Sequence, residues 1–147
     1  MRIYLDNCMF NRPFDNQSNI RIRIETEAKL HIQEKIKAGQ LELIWSYILD
    51  FENEQNPFNE RKISIAKWKK FASADIEETE NLLNKALTLA KLGLKAKDAL
   101  HIASAIEANA RYFLTTDDKI LNKSSKLDDI IAISPTDFVK ELENYDK

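Results

Sequence analysis

The feature that most limits the fold is an alternation that runs the length of the chain. Short apolar runs of strand composition trade places with segments whose apolar residues recur at helical spacing. "IYL" (Ile3 to Leu5), "LELIW" (Leu41 to Trp45), "YFLTT" (Tyr112 to Thr116) and "IIAIS" (Ile130 to Ser134) are rich in β-branched and aromatic residues and read as strands. "SADIE", around Asp75 and Ile76, reads as a further, very short one. Between them, Ile20, Ile24, Ala28, Ile32 and Ile36 predict a helix with a buried stripe that Gly39 stops. Ser46 stands where it can cap a helix from Tyr47, Asn56-Pro57 breaks that helix, and Asn59 can cap the next. Leu82, Leu83, Ala86, Leu87 and Ala90 mark a helix ended by Gly93. Ala99, Ile102, Ala103, Ile106 and Ala110 mark the most apolar helix, and Phe138 and Leu142 a short amphipathic tail after Pro135. Parallel strands need crossover connections, so the alternation predicts an α/β fold: a three-layer α/β/α sandwich with a central parallel sheet, in one domain spanning 1–147.

Composition narrows the function. With 22 basic and 24 acidic residues the net charge is −2, which excludes the global basic footprint of a nucleic-acid coat and leaves only a local patch for a polyanion. The single cysteine, Cys8, cannot form an internal disulfide, and no basic-then-apolar leader opens the sequence, so a reducing cytoplasm is the expected location. No apolar stretch approaches the length of a membrane span.

Several strands run straight into acid. Asp6 follows the first, Asp117 and Asp118 follow "YFLTT", Glu52 lies a turn and a half into the helix after the second, and Asp98 opens the alanine-rich helix. Ligands of open parallel sheets gather outside the carboxyl ends of the strands. Two carboxylates ~4 Å apart repel by about 4 kcal/mol at an effective dielectric near 20, a large share of a typical folding free energy. A hard divalent cation, Mg²⁺ or Mn²⁺, is the simplest relief for an all-oxygen set. His31, His101 and Cys8 lack zinc-ligand spacing. Taken singly, each acid also fits an ordinary role: Asp6 in a turn, Asp98 at a helix N-terminus, Asp117 as a cap, Glu52 on a solvated face with Asp50 as its rival. On residue types alone the two readings stand level.

The segments "IYLDN", "WSYILDFEN", "DALHIASAIEANARYFLTTD" and "IIAISPTDF" together resemble the PIN domain family of metal-dependent ribonucleases over nearly the whole chain. The resemblance implies that Asp6, Glu52, Asp98 and Asp117 form an acidic cluster holding Mg²⁺ or Mn²⁺, with Asp6 and Asp98 as main anchors and Glu52 and Asp117 binding a second ion or its waters. Ser46, Thr115, Asp118 and Asn7 are then the supporting residues around it. It implies hydrolysis of RNA phosphodiesters, the ions activating a water and stabilising charge on the leaving oxygen. In length the chain is similar to VapC-like toxins of bacterial toxin–antitoxin pairs, which implies an antitoxin partner and a homodimer; a housekeeping RNA-processing nuclease has the same sequence features. One departure stands out: Asn7 and Cys8 follow Asp6, where most members read Thr or Ser and then Asn. That departure keeps open a catalytically silent RNA-binding or protein-interaction module. An aspartyl phosphotransfer domain is disfavoured, since no second acid lies two residues after Asp6. Arg12, Arg61, Lys62, Lys67, Lys69 and Lys70 are the expected approach for single-stranded RNA. His101 is read as a packing residue and Cys8 as a small hydrophobe.

Overall fold

The computed structural model describes residues 1–145. Among these residues five strands form one all-parallel sheet: β1 (Arg2–Leu5), β2 (Glu42–Ser46), β3 (Ala72–Ile76), β4 (Tyr112–Leu114) and β5 (Ile131–Ile133), in the order β3-β2-β1-β4-β5. The helices are α1 (Asn7–Asn11), α2 (Ile20–Lys37), α3 (Tyr47–Glu54), α4 (Asn59–Ala66), α5 (Glu80–Ala90), α6 (Ala96–Glu107), α7 (Asp118–Leu121) and α8 (Pro135–Tyr145). The parallel α/β architecture expected from the alternation is the one found. No helix among the described residues is long and apolar enough to cross a membrane.

The strand order places the site. From β1 the chain steps outward to β2 and β3, then crosses back through α5 and α6 to β4 on the other side of β1, and on to β5. Crossovers of one hand that travel in opposite directions lie on opposite faces of the sheet. A crevice therefore opens where the direction reverses, between the carboxyl ends of β1 and β4. β1 is the central strand, with Ile3 opposite Leu43 on one side and Tyr112 on the other. Ile3, Tyr4 and Leu5 have no solvent exposure, which explains an unbroken apolar run instead of an alternating one.

Three expectations are corrected in detail. "DN" after β1 is the start of a short helix and not only a turn, because the Asp6 carboxylate caps α1 by accepting the Asn7 N–H. Asn59 is the first helical residue of α4 and not its cap; the preceding turn is closed instead by Asn56 Oδ1, which accepts the Phe58 N–H. In α2 the four-residue stripe drifts: Ile20 and Ile24 are exposed, and the buried face runs through Glu25, Thr26, Lys29, Ile32 and Ile36. Four-residue steps exceed the 3.6-residue turn, so such a stripe rotates off the contact line along a helix of this length. Ser46 caps α3 through Leu49 N–H, as its position before Tyr47 requires, and Gly39 and Gly93 both adopt the positive φ of a helix stop.

Candidate active site

Asp6 leaves the end of β1 at the crevice, and its backbone N–H continues the sheet by donating to Leu114 of β4. Its carboxylate is almost fully buried. Oδ1 accepts the Asn7 N–H at 2.8 Å, and Oδ2 accepts the Thr115 hydroxyl at 2.8 Å and faces the Cys8 thiol at 3.5 Å. Thr115 Oγ1 also accepts the Asp117 N–H at 3.1 Å, so one hydroxyl joins the acids that end β1 and β4. Asp117 caps α7 by accepting the Lys119 N–H at 2.9 Å.

Glu52 reaches the same rim from α3, held by Asn7 Nδ2 at 3.1 Å and by His101 Nε2. Burial pushes its carboxyl up, but the His101 hydrogen bond, with Lys97 and Asn7, more than reverses this and leaves it below the usual range. Asp50, its rival in the sequence, is occupied elsewhere, accepting the Trp45 indole N–H at 2.9 Å and the Lys69 ammonium at 3.0 Å. Asp98, in the first turn of α6, is half-buried and pushed up to about 6, first by burial and then by the like charges of Asp6 and Asp117, with Glu52 adding to them. Asp98 thus feels the charges of Asp6, Asp117 and Glu52, three acids drawn from distant segments, at one rim. Asp118 does not join them: its carboxylate is exposed and pairs with Arg21 through two bonds of 2.8 Å.

His101 is the residue the sequence reading passed over. It has no solvent exposure, its Nε2 bonds Glu52 and lies 3.9 Å from Asp6 Oδ1, and its Nδ1 is 2.6 Å from the Tyr4 hydroxyl. The Tyr4 hydroxyl is in turn 2.6 Å from Ser46 Oγ. With a neutral ring, Ser46 donates to Tyr4, Tyr4 to Nδ1, and Nε2–H to Glu52. With a protonated ring the first two bonds reverse and the last is unchanged. In both states His101 donates to Glu52. Ser46 therefore supports the cluster through Tyr4 and His101, whereas Thr115 touches Asp6 directly. Burial, with Asp6 beside it, pushes the Cys8 thiol up to about 12, so it stays protonated and is no nucleophile.

Among the described residues, no three His, Cys, Asp or Glu side chains stand close enough to hold a metal ion as placed. The donor chemistry nevertheless fits a hard divalent ion: the acids are oxygen donors, the like charges around Asp98 outweigh the opposing pull of His101, and Asn7 Oδ1 is a buried acceptor with no partner among the described residues. The expected basic approach is largely spent in ion pairs. Arg12 and Arg61 meet Asp15, Lys62 meets Glu54, and Lys69 meets Asp50 and Asp75.

No protein-family model and no curated protein sequence matches this chain. Solved structures do. VapBC2 from Rickettsia felis, bound to a DNA fragment from their promoter, matches with a TM-score of 0.57 at 14% identity, over 91% of this chain and 98% of that chain. VapBC-1 from nontypeable Haemophilus influenzae matches with a TM-score of 0.55 at 18% identity, over 92% and 99%. This chain shares their fold. At such identities the likeness to the VapBC chains concerns the path of the backbone, and the chemistry must be argued from the residues at the rim.

Proposed function

We propose that this protein is a Mg²⁺- or Mn²⁺-dependent ribonuclease that hydrolyses RNA phosphodiesters. The observation that carries the reading is the gathering of Asp6, Glu52, Asp98 and Asp117 at the reversal point of the sheet, with Asp98 pushed up to about 6 by burial and its neighbours. Asp6 and Asp98 would be the main anchors of the ion, with Asp117 and Glu52 beside them. When bound, such an ion supplies an activated water and neutralises charge on the phosphate. The chain's own part is positional. Thr115 fixes the Asp6 carboxylate, His101 and Asn7 fix Glu52, and the buried Tyr4 hydroxyl fixes His101. Asp118 is left out of this set, because Arg21 engages it.

The VapBC structures supply a biological setting: both are named for a pair, and by analogy this chain is the toxin of a toxin–antitoxin pair in the cytoplasm, held silent by an antitoxin. Exposed apolar residues such as Ile20, Ile24, Phe58, Ile63 and Leu87 offer surface for that partner and for a homodimer.

The test is cleavage of a mixed RNA pool by the purified protein with Mn²⁺, with EDTA, and with the Asp98→Asn variant. Cleavage only by the wild type with metal is expected. Cleavage in EDTA, or undiminished cleavage by the variant, overturns the mechanism. RNA binding without cleavage under any of these conditions favours the silent binding module that the Asn7-Cys8 departure keeps open.

A further inference from the structure

The acidic rim opens on one side into a cavity of about 450 Å³, within the ~300–1,000 Å³ range of ligand sites. Asp98 stands in its wall. The rest of the lining comes from the turn at Gly93, the start of α6 and the segment from α7 onward, and it includes Lys95, Lys119, Lys123 and Lys126. Four lysines around one acid is a local excess of positive charge in a chain whose net charge is −2. None of the four has an acidic partner within ion-pair distance among the described residues, in contrast to Arg12, Arg61, Lys62 and Lys69. Gly93 matters here: a Cβ at this position would stand 2.8 Å from Lys123 Nζ, so the bare backbone lets that ammonium lie close over the turn.

We propose that this cavity is a strand subsite, in which Lys95, Lys119, Lys123 and Lys126 hold the phosphates next to the scissile one as a single RNA strand leaves the acidic rim. The inference rests on the ribonuclease reading, which puts the scissile phosphate at Asp98. No aromatic ring lines the cavity, so bases find nothing to stack on. Lysines are mobile point charges without the planar fork that reads a base edge. The contact is therefore with the backbone, tolerant of sequence and steeply dependent on salt.

The test measures binding apart from cleavage, using a fluorescent 12-nucleotide single-stranded oligouridylate titrated with the protein in EDTA over a series of salt concentrations. For single strands the logarithm of affinity falls with the logarithm of salt by ~0.7 per phosphate neutralised. The double variant Lys119→Ala/Lys123→Ala is expected to flatten that slope by about 1.4 and to weaken binding at low salt by roughly tenfold. Lys67→Ala/Lys70→Ala, on the surface expected from sequence, should leave both unchanged. Wild-type slope and affinity in the first variant, an equal loss in the second, or uridine monophosphate binding as tightly as the 12-mer overturns the proposal. Cleavage of the same oligomer with Mn²⁺ is read separately. A wild type that cleaves while Lys119→Ala/Lys123→Ala binds undiminished ends the strand subsite and spares the nuclease; a wild type that binds through these lysines without cleaving ends the nuclease and, with it, the placement beside a scissile phosphate, leaving the four lysines as a single-strand binding site alone.

Discussion

Thr115 shows how much of the site depends on one hydroxyl. It has no solvent exposure, donates to Asp6 at 2.8 Å and accepts the Asp117 N–H at 3.1 Å, so its removal takes a partner from two groups at once. Thr115→Val keeps the shape and removes the oxygen. It is expected to cost about 1–3 kcal/mol in urea unfolding and to lower RNA cleavage by about 10–100-fold, while Thr115→Ser stays near wild type. Equal cleavage by the valine variant would show that Asp6 needs no such support. At this scale Asp6, Asp98 and Asp117 were legible, because each follows a strand or opens a helix and shared ends imply a shared rim. Thr115 was legible only through the resemblance, as the hydroxyl beside the last acid. His101 was not, since its polar neighbours Tyr4 and Glu52 lie 97 and 49 positions away in sequence, and nothing in an alanine-rich helix signals which polar side chain turns inward. Nor could spacing separate Glu52 from Asp50, which the Trp45 indole decides.

At the scale of elements, α2 is where the pattern misleads most. Its buried face carries Lys29, which is only 3% exposed, bonded to Gln33 and set between the rings of Phe10 and Trp68, at 5.4 and 5.1 Å. Burial, with Lys37 nearby on the same aromatic surface, lowers its amine to about 7 from an ordinary 10.5. Between those two values the unfolded chain keeps a proton that the folded chain has shed, so this residue makes stability rise as pH increases from about 7 to about 10. Below 7 both states are protonated and the penalty is full and constant. Lys29→Met should therefore be more stable than wild type at pH 6 by up to a few kcal/mol, and the gap should narrow steadily by pH 10. Urea midpoints of the two proteins across that range check this; a gap independent of pH would place the effect in packing instead of charge. Strands survived the sequence reading better than helix faces. A central parallel strand is buried on both sides and needs no phase, whereas a helix face depends on a phase that single charged residues such as Glu25 and Lys29 obscure.

For the whole molecule, the sheet order forces a conflict between folding and function. Folding brings the ends of β1 and β4 together and with them Asp6, Asp117 and Asp98, whose mutual repulsion the chain must carry when no cation relieves it. Asp98 sits at about 6 in the folded state against an ordinary 3.8, so its ionised form is disfavoured by folding. Stability is lost as pH rises from about 4 to about 6 and stays at the lower level above that. Asp98→Asn removes the charge and keeps the shape. Without metal at pH 7 it should be more stable than wild type by roughly 1–2 kcal/mol, a figure already reduced for the half-exposed carboxylate, and the difference should vanish near pH 4. For a chain of this size that is a rise of several degrees in Tm. Millimolar Mg²⁺ or Mn²⁺ should raise the Tm of the wild type, because a ligand of the folded state alone stabilises it by mass action, and should do little for the variant. The opposite result, a variant less stable at pH 7 and a wild type indifferent to metal, would mean that Asp98 serves the N-terminus of α6 as an ordinary helix acid. The two roles predict opposite signs in one melting experiment, which makes the charge at position 98 the most direct test of whether this rim is built for a cation.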